Sequence, residues 1–198
     1  MIRLFVALPI PEHVHHVLQT MCHGLNNARW VPEENRHLTL FFIGEVEHGL
    51  ADDIDMALSH IDMDPVDVTL DGLGFFAKKE RVHTIFSRAK RTERLLHLQK
   101  KVESALVRAG LPPETRKFTP HVTLARMKPV PVAVAESYCA SHHHPEEITF
   151  TADHFTLYSS RLTPEGSIYT AEVNYGMGGY VPPFDLDPGD DILSESLA

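Results

Sequence analysis

The chain has 198 residues, 43% of them hydrophobic and 23% charged, with a formal net charge of −9 at pH 7. This length and composition predict an ordinary globular protein of one or two lobes, with no apolar run near the roughly 20 residues that cross a bilayer. The negative charge argues against non-specific wrapping of nucleic acid, because that binding depends on many Lys and Arg contacts to phosphate.

Two predicted strands begin the chain, and a helix follows each of them. RLFVAL (3–8) consists mainly of β-formers, and apolar residues recur at helical spacing after Pro11. RHLTLFFIG (36–44) is the next predicted strand, and a second helix is predicted from about residue 47 to residue 60.

The second half of the chain repeats this outline. VDVTLDGLG and RVHTIFS are predicted strands, and residues 91–110 form the clearest predicted helix, because apolar residues recur there every three or four positions. PHVTLAR (120–126) is a predicted strand followed by a short helix. EITFTADHFTLYSS (147–160) is predicted as one long strand, and SIYTAEVNY as the last.

The repeated order predicts a two-lobed α+β fold with approximate internal symmetry. We expect residues 1–180 to form a single bilobal domain. Residues 181–198 contain five acidic residues and no Lys or Arg, and we expect them to form an acidic C-terminal tail.

The tripeptide His-x-Thr (HxT) occurs in the middle of two predicted strands. Residues i and i+2 of a strand share a face, so His37 points the same way as Thr39, and His121 the same way as Thr123. A single such pair is more often structural. Two copies 84 residues apart, each followed by a leucine and then by a predicted helix, favour a functional constellation.

Two histidines suit acid–base chemistry on a phosphodiester. Cleaving a cyclic phosphate requires a base that takes a proton from water and an acid that protonates the departing ribose oxygen. Histidine, with a pKa of about 6.5, fills either role near neutral pH, and threonine hydroxyls are suited to hydrogen-bond the non-bridging oxygens. The arrangement requires neither a metal nor another cofactor.

These segments resemble a known family. HLTLFFIG and PHVTLAR, with RLFVAL near the start and FTLYSSRL and SIY near the end, resemble the 2H phosphoesterases. Within them, the chain is most similar to the RNA 2′,3′-cyclic phosphodiesterases, historically called 2′-5′ RNA ligases. The resemblance implies a bilobal fold with lobes related by a pseudo-two-fold axis, antiparallel sheets lining a central cleft and helices outside.

The same resemblance implies an activity. The chain is expected to be a metal-independent phosphodiesterase that hydrolyses 2′,3′-cyclic phosphate ends of RNA or nucleotides to 2′-phosphomonoesters. Weak reversible 2′-5′ ligation in some members of the family adds a second expected activity.

The resemblance also implies roles for particular residues. The two HxT pairs occupy the family's catalytic positions, with His121 implied as the base and His37 as the acid. Phe42 and Arg126, each five residues after a histidine, are implied to contact substrate as an aromatic ring and a phosphate clamp. Strict alternation puts both on the opposite face, so either a bulge or the strand end turns them back, or they are core and rim residues. Phe41 lies on the His37 face by alternation and competes with Phe42 for stacking on a base.

Other clusters favour simpler interpretations. His142–His144 lacks a second ligand group at fixed spacing, so we expect a solvent loop and no metal site. Residues 78–117 carry 12 Lys or Arg against four Glu, and this segment faces either solvent or a polyanion. Walker, GxGxxG and GxSxG motifs do not occur in the sequence.

Rival functions remain open at this point. One is a non-catalytic RNA-binding module that uses the basic segment, and another is a metal-dependent hydrolase that uses some of the 14 histidines. A third is a phosphodiesterase for another cyclic phosphate or for 2′-5′-linked oligonucleotides, because HxT pairs contact the phosphate and not the leaving group.

The expected partner is RNA with a 2′,3′-cyclic phosphate end, or a cyclic nucleotide. We expect no membrane partner, and we expect the chain to be a monomer. Cys22 and Cys139 form no CxxC pair, which favours a reducing cytoplasm.

Overall fold

Antiparallel strands and flanking helices make up residues 1–142, 146–164 and 166–179, which the computed structural model describes. Within these ranges the chain forms nine strands in one continuous sheet and four α-helices. The strands are β1 (Ile2–Pro9), β2 (Ala28–Trp30), β3 (His37–Val46), β4 (Val66–Lys78), β5 (Arg81–Ala89), β6 (His121–Pro131), β7 (Ile148–Ala152), β8 (His154–Thr163) and β9 (Gly166–Gly176). The helices are α1 (Glu12–Thr20), α2 (His48–Ser59), α3 (Glu93–Arg108) and α4 (Val132–Ser141).

The sheet consists of two matching halves that meet where β3 pairs with β6. From that contact outward, one half contains β6, β5, β4 and β7, and the other contains β3, β1, β8 and β9. The short strand β2 pairs with β6 beside the contact. The α+β class and the two matching lobes are therefore confirmed, and the sheets of the two lobes are joined edge to edge. In the described ranges, none of the helices is long and apolar enough to cross a membrane.

The helix α3 supports the sheet and matches its prediction closely. The Thr92 side chain caps it by accepting a hydrogen bond from Leu95 N at 3.3 Å. The apolar stripe of Leu95, Leu98, Val102 and Leu106 is fully buried, and α3 contacts β3 and β4. Burial of each leucine stabilises the fold by about 1.5–3 kcal/mol, so α3 anchors the strand that carries the first HxT pair.

The single long strand predicted at 147–160 is wrong, because the chain divides at Asp153 into β7 and β8. The strand β7 pairs with β4 in one half, whereas β8 pairs with β1 and β9 in the other. The Asp153 carbonyl accepts a hydrogen bond from Met177 N at 2.7 Å. Because one residue joins the two flanks of the sheet, the sheet must curl, which leaves a concave face between its halves.

Two predictions fall wholly or partly outside the described residues. The acidic tail, 181–198, lies outside them, as do His143 and His144. His142 is described, and it is half-buried with its ring stacked on Tyr138 at a centroid distance of 4.3 Å. It therefore does not lie in a solvent loop as predicted.

Candidate active site

The two HxT tripeptides lie side by side where the halves of the sheet meet. Leu38 of β3 pairs with Val122 of β6, and both side chains are fully buried. In antiparallel pairing this register places the histidine of each tripeptide beside the threonine of the other. Since successive residues of a strand point to opposite faces, both histidines and both threonines lie on the face opposite this buried pair.

The same irregularity follows each tripeptide. The register of β3 against β1 jumps at Leu40, which is an extra residue that forms a β-bulge. The register of β6 against β5 jumps at Leu124, the equivalent residue. The six residues that start at each histidine have identical burial patterns. The two halves therefore present their HxT pairs on strands with the same backbone geometry.

These bulges return Phe42 and Arg126 to the face that carries the histidines. Phe42 is 48% exposed, whereas Phe41 is 7% exposed and belongs to the hydrophobic core. The prediction that Phe41 shares the face of His37 is therefore wrong, because strict alternation does not continue through a bulge. A bulge therefore turns Phe42 and Arg126 back toward the histidines, as one of the expected alternatives required.

Both histidine rings are held in the same way by the backbone that precedes them. His37 Nδ1 lies 3.0 Å from the carbonyl oxygen of Asn35, and His121 Nδ1 lies 2.7 Å from that of Thr119. A carbonyl oxygen only accepts hydrogen bonds, so Nδ1 carries the proton and donates it. The Nε2 atom of each ring is thereby left for a substrate, as a base when the ring is neutral and as an acid when it is protonated.

His37 is surrounded by aromatic rings. Phe5, Tyr169 and Tyr158 have ring centroids at 4.7, 5.3 and 6.1 Å from that of His37. Burial lowers the pKa of His37 to about 4, and the nearby His121 and Arg126 add to this effect. The ring is therefore neutral in the empty cleft at neutral pH.

His121 has a similar but less buried environment. The rings of Phe86 and Phe76 lie at centroid distances of 4.9 and 5.0 Å. Burial lowers the pKa of His121 from its usual 6.5, and the charge of Arg126 acts in the same direction. The shift is smaller than at His37. His121 is therefore the stronger base of the two, and protonated His37 is the stronger acid.

A cavity of about 520 Å³ opens beside Tyr169, whose ring packs edge-on against His37. We call it the Tyr169 cavity. Arg126 and Asn35 also line it. The side-chain amide of Asn35 donates to the carbonyl oxygen of Ser167 at 3.0 Å, which ties the loop before His37 to the β8–β9 hairpin.

A second cavity, of about 380 Å³, is lined by His121 and Thr39 themselves. Phe42 and Phe76 supply aromatic walls, and the cavity is bordered by Lys117 and by Arg116, which pairs with Glu114 at 2.8 Å. We call it the Phe42 cavity. Each cavity thus combines aromatic rings with cationic groups, a combination that suits the base and phosphate of a nucleotide.

A third cavity, of about 660 Å³, lies against α3 and shares no residue with the two others. Its charges are of both signs, and Arg94 pairs there with Asp64 at 3.4 Å. It contains no Phe, Tyr or Trp. Because these charges compensate one another, the cavity offers less to an anionic aromatic ligand than the cleft does.

Several residues of the cleft were not singled out from the sequence. Phe5, Tyr158 and Tyr169 surround His37, yet they come from strands far from it along the chain. All three lie in segments that carry the resemblance, RLFVAL, FTLYSSRL and SIY, but the resemblance implied no role for these residues. Among residues 1–142, 146–164 and 166–179, no group of three or more His, Cys, Asp or Glu could hold a metal ion.

Comparison with known proteins gives a consistent result. The sequence profile of the 2′-5′ RNA ligase superfamily matches residues 11–163. An RNA 2′,3′-cyclic phosphodiesterase of Thermotoga maritima is 32% identical over 173 residues, which cover 84% of this chain and 91% of that protein. The protein of the same name from Methanocaldococcus jannaschii is 29% identical over 171 residues, covering 84% and 96%.

Solved structures have the same fold. A protein of Thermus thermophilus matches with a TM-score of 0.70 at 27% identity, covering 88% of this chain and 97% of that one. LigT of E. coli matches with a TM-score of 0.69 at 23% identity, covering 89% and 97%. Since the profile spans most of the chain and the relatives match along nearly their whole length, this chain belongs to the 2′-5′ RNA ligase superfamily of 2H phosphoesterases.

Proposed function

We propose that this chain is an RNA 2′,3′-cyclic phosphodiesterase, which hydrolyses the cyclic phosphate end of RNA or of a nucleotide to a 2′-phosphomonoester. The pairing of Leu38 with Val122 carries the proposal, because it sets two HxT pairs side by side in one cleft. The names of the Thermotoga and Methanocaldococcus relatives support the same activity.

The reaction requires proton transfer on both sides of one phosphorus atom. A water oxygen attacks phosphorus, the bond from phosphorus to the ribose 3′ oxygen breaks, and that oxygen takes up a proton. One Nε2 removes the proton from water, and the other, already protonated, supplies the proton to the 3′ oxygen. The hydroxyls of Thr39 and Thr123 hydrogen-bond the non-bridging oxygens and stabilise the charge that grows in the transition state.

The difference between the two cavities supports an assignment of the acid and the base. The Tyr169 cavity is the larger, and it offers an aromatic ring, an amide and a guanidinium to a nucleoside. With the terminal nucleoside there, His37 faces the departing 3′ oxygen and acts as the acid, and His121 faces water as the base. The pKa order agrees, because protonated His37 is the stronger acid. The negative phosphate favours the protonated form of His37 once substrate is bound.

Arg126 and Phe42 take different parts in this proposal. Arg126 contacts the phosphate, since its charge already acts on both histidines. Phe42 lies on the side of the attacking water, so its ring stacks on a second nucleoside when a hydroxyl of that nucleoside replaces water, as in weak 2′-5′ ligation. Phe41, in the core, supports the strand beneath it.

The test is hydrolysis of 2′,3′-cyclic AMP by the purified chain in the presence of EDTA. We expect 2′-AMP as the product, separated from 3′-AMP by chromatography. His37→Ala and His121→Ala should each lower kcat by at least about 100-fold, because each removes one proton transfer. The matched control is His83→Ala, which removes an exposed histidine of β5 and should retain full activity.

Each failure of this test points to a rival. Absence of turnover in the wild type favours an RNA-binding module, and loss of turnover in EDTA that added metal restores favours a metal-dependent hydrolase. Formation of 3′-AMP would show that the other P–O bond is cleaved, and full activity of either histidine variant would refute the site. A cytoplasmic monomer, with Cys22 and Cys139 as free thiols, remains part of the proposal.

A further inference from the structure

Two arginines lie directly opposite each other at the rim of the cleft. Arg29 of β2 pairs with Arg126 of β6 in antiparallel register, and both side chains are exposed. Side chains paired in this way point to the same face, with Cβ atoms about 5 Å apart. Since the bulge places Arg126 on the histidine face, Arg29 lies there too, and both line the Tyr169 cavity.

This arginine pair is unfavourable by itself. Like charges directly opposite each other destabilise a sheet, and neither guanidinium forms an ion pair with a carboxylate of the described residues. Arg88 and Arg116, by contrast, pair with carboxylates at 3.3 and 2.8 Å. In a chain with 27 acidic and 18 basic residues, two adjacent uncompensated guanidiniums indicate a site for an anion.

The two arginines lie at different depths in the cleft. Arg126 lies on β6, the strand that carries His121, and its charge lowers the pKa of both His37 and His121, whereas Arg29 lies on the neighbouring strand β2. Arg126 is therefore the inner cation, close to the phosphate at the HxT pairs. Arg29 is the outer cation, one step further along the Tyr169 cavity.

We propose that Arg29 binds a second phosphate of the substrate, the one on the 5′ carbon of the terminal nucleotide, while Arg126 beside it contacts the cyclic phosphate. This inference rests on the proposed function, because it takes the cyclic phosphate to lie at the HxT pairs and the terminal nucleoside in the Tyr169 cavity. A guanidinium binds phosphate through two parallel hydrogen bonds. Arg29 thereby selects the end of an RNA strand over a cyclic mononucleotide.

Three substrates separate the contribution of the second phosphate from that of a second nucleoside. Adenosine 2′,3′-cyclic phosphate (A>p) lacks the second phosphate, its 5′-phosphorylated form (pA>p) contains it, and the dinucleotide ApA>p contains it together with a second nucleoside. We expect the wild type to have a kcat/KM about tenfold higher for pA>p and ApA>p than for A>p. Arg29→Ala should remove this preference, and Arg29→Lys should keep part of it.

The matched control is Arg108→Ala, which removes an exposed arginine at the end of α3 and should keep the wild-type preference. Equal activity of the wild type on A>p and pA>p would overturn the inference and leave the proposed function intact. Equal losses on all three substrates in Arg29→Ala would also overturn it, because Arg29 would then act at the cyclic phosphate. Failure of the wild type on all three substrates would instead refute the proposed function.

Discussion

The His37 half and the His121 half of the cleft have the same backbone and different side chains. Both present histidine and threonine on one face, place a bulge at the next leucine, and hold Nδ1 against a carbonyl oxygen two residues upstream. At the equivalent position beyond the bulge, however, one half has Phe42 and the other has Arg126. Backbone symmetry therefore brings two imidazole rings into one cleft, and under the proposed function the asymmetry of the side chains decides which ring is the acid and which is the base.

The asymmetry extends to the surroundings of the two rings. His37 lies among three aromatic side chains beside the larger cavity, where the Arg29–Arg126 pair also lies. His121 lies among two rings beside the smaller cavity. These differences favour a nucleoside beside His37 and the attacking water beside His121.

The largest expected effect is on the stability of the fold, at the two residues that follow the bulge in the His37 half. Phe41→Ala should lower the free energy of unfolding by about 3–5 kcal/mol, because it removes a core ring. Phe42→Ala should cost about 1 kcal/mol or less, mainly through its contact with Arg3, whose guanidinium carbon lies 5.5 Å from the ring centroid. Urea denaturation of both variants measures the difference.

The same pair of variants also tests the cavity beside Phe42. Phe42→Ala should lower cleavage of 2′-5′-linked ApA by about 5- to 100-fold more than hydrolysis of 2′,3′-cyclic AMP, because one stacked base is lost.

A larger loss of unfolding free energy in Phe42→Ala than in Phe41→Ala would show that strict alternation holds and that the bulge is misplaced.

A smaller effect comes from the two lowered pKa values. In the free enzyme one histidine must be neutral and the other protonated, so a plot of kcat/KM against pH should be bell-shaped. Because the singly protonated pair is the active form, kcat/KM should rise with increasing pH at the lower pKa of the pair, about 4, and fall again at the higher pKa, which lies below 6.5. Arg126→Ala should move both limbs to higher pH, since its charge lowers both pKa values. A falling limb at or above pH 6.5 in the wild type would contradict the burial of His121.

The sequence predicted the class of the fold and the position of both HxT pairs, because these depend on local patterns. The stripe of α3 and the alternation around His37 and His121 extend over few residues, so periodicity reveals them. The sequence does not decide whether bulges form at Leu40 and Leu124, because a bulge is defined by the partner strand and not by the bulged one.

Long-range pairing accounts for what the sequence did not reveal. The break at Asp153 follows from β7 and β8 pairing with strands in opposite halves, while β-propensity continues through the segment. The sequence does not distinguish Arg29, because a single exposed arginine has no pattern of its own. The pairing of β2 with β6 places it opposite Arg126, and only this pairing brings the two guanidinium groups together.

The most direct test of the central claim, that the two histidines act on opposite sides of one phosphate, is a change of leaving group. Phenyl and 4-nitrophenyl esters of 3′-deoxyadenosine 2′-phosphate replace the ribose 3′ oxygen with an aryl oxygen, and the nitro group reduces the need for a proton donor. We expect the kcat/KM deficit of His37→Ala to shrink at least about tenfold on the nitrophenyl ester, and that of His121→Ala to stay the same. A deficit that shrinks in His121→Ala instead would contradict the assignment of acid and base, and a deficit that shrinks in neither variant would contradict the acid–base pair itself.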